Sequence, residues 1–153
     1  MFEYEIENES CVCLKSQPIH RSKGISSHIH LMNGVTSEEF IANMQDHMSR
    51  SDDHIIALDC EDIECILSER DEAYYGKMSF TVTGNNYVTL DDVEWLKRIN
   101  VEEMCIFFEG SMGVKEAQNV ANLIRTLIPN FVNCLFGFKI GENSDIKVNL
   151  LVA

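Results

Sequence analysis

A chain of 153 residues, 45% hydrophobic and 24% charged with only two prolines, can build one domain with a proper core and is too evenly composed for disorder. Its 25 acidic against 12 basic side chains give a net charge of −13, with no basic cluster larger than the one at 21–23, so nucleic acid and anionic membrane surfaces are not expected partners. No apolar run approaches the roughly 20 residues of a membrane span, and the acidic start Met1-Phe2-Glu3-Tyr4-Glu5 is unlike a signal peptide. A cytoplasmic location is expected.

In chain order, residues 2–32 read as short strands: Glu3 to Glu7 alternates, Cys11 to Leu14 forms a second strand and Ile25 to Met32 a third, with breaks at Gln17-Pro18 and Lys23-Gly24. Asn33-Gly34 signals a turn. Thr36 with Glu39 three residues on has capping-box spacing, ahead of Phe40, Ile41, Met44 and Met48, and predicts a helix over 37–49 that Ser51-Asp52-Asp53 ends. His54 to Leu58 is a short apolar strand. Asp59-Cys60-Glu61-Asp62 then caps a helix carrying Ile63, Ile66 and Leu67, its acidic first turn matched to the positive end of the helix dipole.

Ala73 to Val82 has strand composition. Gly84-Asn85-Asn86 breaks it, and Thr89-Leu90-Asp91-Asp92 is expected to open a short helix through Trp95 and Leu96, with Trp95 in the core. Met104 to Phe108 is a continuous apolar run of strand length, which predicts burial on both faces. Val114, Ala117, Val120, Ala121, Ile124 and Leu127 recur at helical spacing, and Pro129 stops that helix. Phe131 to Ile140 and Ile146 to Val152 read as strands joined in a hairpin by Gly141-Glu142-Asn143-Ser144. The expected fold is α/β (α+β): a single mixed sheet of four or more strands, helices packed on it, and a β-rich extension at the N-terminus.

From Asp59 onward the residues resemble the C-terminal domain of the FtsZ/tubulin family, in its bacterial FtsZ version. Asp59-Cys60-Glu61-Asp62-Ile63, with Ile66-Leu67-Ser68-Glu69 and Ala73-Tyr74-Tyr75-Gly76, resembles that family's catalytic loop, the helix after it and the next strand. Met104 to Gly110 resembles the strand that follows, and Val114 to Leu127 with Asn122-Leu123-Ile124-Arg125 the long helix. Cys134-Leu135-Phe136-Gly137 and Ile146 to Val152 are similar to the closing hairpin. The resemblance implies a main domain at 56–153, with 1–55 as an extension of short strands and one helix packed on it. The nucleotide domain of the family has no counterpart. A phosphate cradle needs glycines so that backbone N–H groups can approach the anion, and Gly110, Gly113 and Gly137 are isolated.

No cofactor and no independent catalysis are therefore expected. In the family, two acidic residues of the catalytic loop reach across a subunit interface to a neighbour's GTP. Asp59 and Asp62 fall at the matching positions, while Ala57 replaces the usual preceding polar residue and Cys60 the aromatic between them. Asp59 and Asp62 are thus candidates to complement a partner's site, and as carboxylates they are equally suited to capping a helix. The implied role is a cell-division-type interaction or assembly module, a homo-oligomer or a modulator of a tubulin/FtsZ-type GTPase. The alternative is a small enzyme or metabolite-binding protein with a pocket at a subunit interface.

One further constellation stands apart from the resemblance. Cys11-x-Cys13 and His28-x-His30 each place two donors on one face of a strand, and two paired strands would bring together a donor set suited to tetrahedral zinc. The spacing matches no standard finger, and half-buried strand residues are the plain alternative. The remaining histidines, His20, His47 and His54, form no pattern, and all six cysteines are expected to be reduced.

Overall fold

In the computed structural model the described residues are 2–18, 23–49, 53–83, 87–111, 113–128, 133–141 and 146–153, the side chains of 80–83 and 87–91 excepted. The elements are β1 (Phe2–Asn8), β2 (Cys11–Ser16), β3 (Ile25–Met32), α1 (Ser37–Met48), β4 (His54–Ile56), α2 (Cys60–Leu67), β5 (Glu72–Thr83), β6 (Tyr87–Asp91), α3 (Glu94–Lys97), β7 (Glu103–Glu109), α4 (Val114–Thr126), β8 (Asn133–Lys139) and β9 (Lys147–Val152). One mixed sheet runs in the order β1-β2-β3-β5-β9-β7-β8-β4, with β6 paired to β5 beside this path. β1–β2–β3 is an antiparallel meander that joins β5 in parallel, Ile29 opposite Ala73 and Leu31 opposite Tyr75. The N-terminal strands therefore extend the same sheet.

The pleat sends alternate side chains to opposite faces, and two separate cores result. On one face Val12, Leu14, Ile29, Tyr75, Cys105, Phe107 and Leu151 meet Phe40 and Met44 of α1 and Ile63, Ile66 and Leu67 of α2. On the other, Met104, Ile106, Phe108, Val148, Leu150 and Val152 meet Trp95 and Leu96 of α3 and Ala117, Val120 and Ile124 of α4. β7 and β9 contribute to both cores, so their apolar runs occupy the middle of the sheet, as burial on both faces requires. Helices cover both faces of the sheet.

Two sequence expectations are corrected. The segments 131–140 and 146–152 do not pair as a hairpin: β8 lies parallel to β7 on one side, while β9 lies antiparallel to β7 on the other, so β7 separates them. The reason is the α4 crossover. It sets β8 beside β7 in parallel, and β9, buried on both faces from Val148 to Val152, fills the central slot between β7 and β5. Thr89 to Asp91 is not a helix start but part of β6, which pairs antiparallel with the far half of β5, Ser79 opposite Asp91; the helix begins only at Glu94. The breaks at 84–86, 129 and 142–144, and His20, lie outside the described residues.

Glycine is required at one packing contact. A Cβ on Gly76 would stand 2.6 Å from the Trp95 ring, whose Nε1 donates to Lys77 O at 3.2 Å. The close approach of α3 to β5 depends on that bare backbone.

Candidate functional site

The outer face of β1–β3, opposite the α1/α2 core, carries the Cys and His pairs. Cys11 lies opposite His30 and Cys13 opposite His28, so the strand pairing that the spacing required is present. β1 adds a residue that the sequence reading missed. Glu7 follows Glu3 and Glu5 on the face of the thiols, and the β1–β2 register slips between Ile6 and Asn8, a bulge that leaves Glu7 without a direct partner. Glu7 Oε1 lies 2.5 Å from His28 Nδ1, and Cys11 Sγ donates to Glu7 Oε2 at 3.4 Å. One donor atom each of Glu7, Cys13 and His28 lie within 4.8 Å of one another. The alternation Glu3, Glu5, Glu7 already puts Glu7 on the face of Cys11 and Cys13, a signal that strand periodicity offered once β1 is paired with β2.

The four residues anticipated from spacing do not all converge. Cys13 and His28 join Glu7, and Cys11 adjoins them through Glu7. His30 turns away: its Nε2 lies 3.4 Å from Glu72 Oε1, and its ring packs on Tyr74 at a centroid distance of 5.2 Å. Cys11 and Cys13 are 5% and 3% exposed, yet neither belongs to a hydrophobic core cluster. Burial, and after it the hydrogen bond to Glu7, pushes the Cys11 thiol up to about 11. All six cysteines are free thiols.

The second candidate place is the opposite end of the sheet, where the edge strand β4 runs into α2. Asp59 is the N-cap of α2: its Oδ1 accepts from Asp62 N at 3.0 Å, and Asp62 Oδ2 accepts from Asp59 N at 3.0 Å. This reciprocal capping box satisfies two orphan donors of the helix start. Both carboxylates reach solvent, Asp59 exposed and Asp62 half-buried. Beside them, β4 pairs with β8 and Ile140 N donates to Asp53 O at 2.8 Å, which leaves Ile55 and Ile140 each 47% exposed at the sheet edge. Behind this edge Leu58 packs on Gly137, where a Cβ would stand 2.7 Å from Leu58 Cδ1, and Lys139 Nζ holds Asp46 Oδ2 of α1 at 2.5 Å.

No protein-family model matches the chain, and no curated protein matches it. Solved structures do. An FtsZ W319Y mutant from M. jannaschii superposes with a TM-score of 0.53 at 14% identity, over 76% of this chain and 39% of its own. The fold is FtsZ-like. An empty FtsZ dimer from the same organism gives a TM-score of 0.56 at 14% identity, over 73% of this chain and 35% of that one. The chain thus spans under two fifths of those FtsZ chains, in keeping with the resemblance to FtsZ's C-terminal domain rather than to a whole FtsZ. Residues 56–153 are under two thirds of the chain, so the FtsZ-like likeness also takes in part of residues 1–55.

Proposed function

We propose that the chain is a protein-interaction or assembly module that works at the β4–α2 corner, associating with itself or with an FtsZ/tubulin-type GTPase. The observation that carries this reading is the juxtaposition at that corner. Two exposed isoleucines, Ile55 and Ile140, lie on the sheet's edge strand and just beyond its neighbour, and Asp59 and Asp62 begin the helix that follows. Exposed apolar side chains at a strand edge are what an adjoining protein surface covers. The net charge of −13 favours a partner with a basic patch over one with an acidic surface.

In a sharper form, Asp59 and Asp62 also contribute carboxylates to the partner's nucleotide site. Residues 1–55 are in this reading an extension packed on the domain at 56–153, its strands β1–β3 continuing the same sheet.

The test is GTP turnover by an FtsZ-family GTPase with this protein added at micromolar concentration. A change in turnover that Ile55→Asp removes supports the association. Asp59→Asn keeps a capping side chain and separates the two versions: if it abolishes the change while binding persists, the carboxylate takes part in the chemistry. No change in turnover and no co-sedimentation, with circular dichroism showing a folded protein, would overturn the proposal.

A further inference from the structure

The outer face of β1–β3 presents a problem that hydrophobic packing does not solve. A buried reduced cysteine ordinarily acts as a small apolar side chain inside a core. Cys11 and Cys13 are buried on the face away from the α1/α2 core, and their neighbours are Glu7, Ser26, His28 and His30. Val12 and Leu14, their alternates on the strand, are the ones that fill the core. Thiols, an imidazole and a carboxylate drawn from three adjacent strands are what a borderline-soft cation binds.

We infer that Glu7 of β1, Cys13 of β2 and His28 of β3 form a binding site for a zinc-class divalent cation, with Cys11 as the fourth donor within reach. Tetrahedral zinc with bonds near 2.3 Å to sulfur and near 2.0 Å to nitrogen or oxygen sets its donors roughly 3.3–3.8 Å apart. Donors already within 4.8 Å of one another need to move by about an ångström or less. The 2.5 Å contact between His28 Nδ1 and Glu7 Oε1 is the one that opens, with the neutral imidazole carrying its proton on Nε2 so that Nδ1 is free to take the ion. Cys13 loses its proton to solvent on binding, and Cys11 does the same when it joins. His30 is left out, held by Glu72 and Tyr74. The ion would staple the meander at its bulge.

This inference does not depend on the β4–α2 corner, and its test is independent of any GTPase. Untagged protein, purified under reducing conditions and stripped with a chelator, is titrated with zinc against a chromogenic competitor, and in parallel with cobalt(II). One zinc per chain is expected, and the cobalt form should show a sulfur-to-metal charge-transfer band with the intense ligand-field bands of a tetrahedral site. Cys13→Ser and His28→Ala should each weaken zinc by more than about 100-fold, beyond the roughly 10–100-fold typical of outer-shell partners. His30→Ala should leave binding intact. Sub-stoichiometric zinc, or a cobalt spectrum without a sulfur band, would overturn the assignment on the native protein alone, whether or not a variant folds.

Discussion

Gly76 and His47 show how single residues set limits on this fold. The missing Cβ at Gly76 lets the Trp95 ring lie against β5. Gly76→Ala should therefore overpack the α3/α4 face and lower stability by about 1–3 kcal/mol. Urea unfolding followed by fluorescence of Trp95, the chain's single tryptophan, reads both the loss and any change in the ring's surroundings. His47 is 2% exposed on α1, its ring 5.1 Å from that of Phe107. Burial holds its pKa down at about 4; Asp46 works against this, while His54 and Lys139 reinforce it.

A base depressed in the folded state takes up its proton first in the unfolded chain. The stability it leaves intact is therefore full above about pH 6.5 and falls as the pH drops toward 4. The fall should amount to roughly 3 kcal/mol across that window. His47→Leu should flatten this part of the stability–pH curve, and a slope unchanged by the substitution would assign it to other groups. The spacing Phe40, Met44, His47 puts His47 on the apolar stripe of α1, so helical periodicity marks it for burial although it forms no motif with the other histidines.

At the scale of elements, helix starts were legible because they are local. Thr36 accepts from Glu39 N at 3.1 Å, and Asp59 and Asp62 cap each other's backbone, as the residue types and their spacing foretold. Asp59→Ala should cost about 1 kcal/mol and Asp59→Asn much less. Equilibrium unfolding of the two variants checks this, and equal losses would deny Asp59 its capping role. Strand partners were less legible. The segment 146–152 follows 131–140 in the chain, but pairing obeys the sheet rather than the sequence. β9 is buried on both faces and takes the central place, while β8 follows β7 through a helix and so lies parallel to it. β6 was misread for a related reason: Thr89 and Leu90 suit a helix start locally, and only pairing with β5 makes them a strand. The β1–β2–β3 meander was read correctly as strands. The alternation Glu3, Glu5, Glu7 put Glu7 on the Cys face, whereas the register that sets it beside Cys11 depends on the pairing of β1 with β2.

For the whole molecule, the alternation of helix and strand in the sequence was enough to give one mixed sheet. The order of pieces after Asp59 was enough to suggest an FtsZ-type domain, which the fold of the solved FtsZ structures supports at 14% identity. What the residue pattern left open was the placement of helices on both faces, since that depends on which strands are central.

It also left open which end of the sheet is exposed. The two edges differ in chemistry. Both edges expose isoleucine, Ile6 at 55% on β1 and Ile55 and Ile140 at 47% each by β4, but on β1 Ile6 alternates with Glu3, Glu5 and Glu7, charges that discourage edge-to-edge pairing. Association is therefore expected at β4.

The most direct measurement is sedimentation velocity of the purified protein, alone and mixed with an FtsZ-family GTPase, comparing the native chain with the Ile55→Asp, Ile140→Asp double variant. The native protein should move as an oligomer or co-migrate with the GTPase, and the double variant should sediment as a folded monomer in both samples. A native protein that stays monomeric in both samples, or a double variant that associates as well as the native chain, would contradict the account.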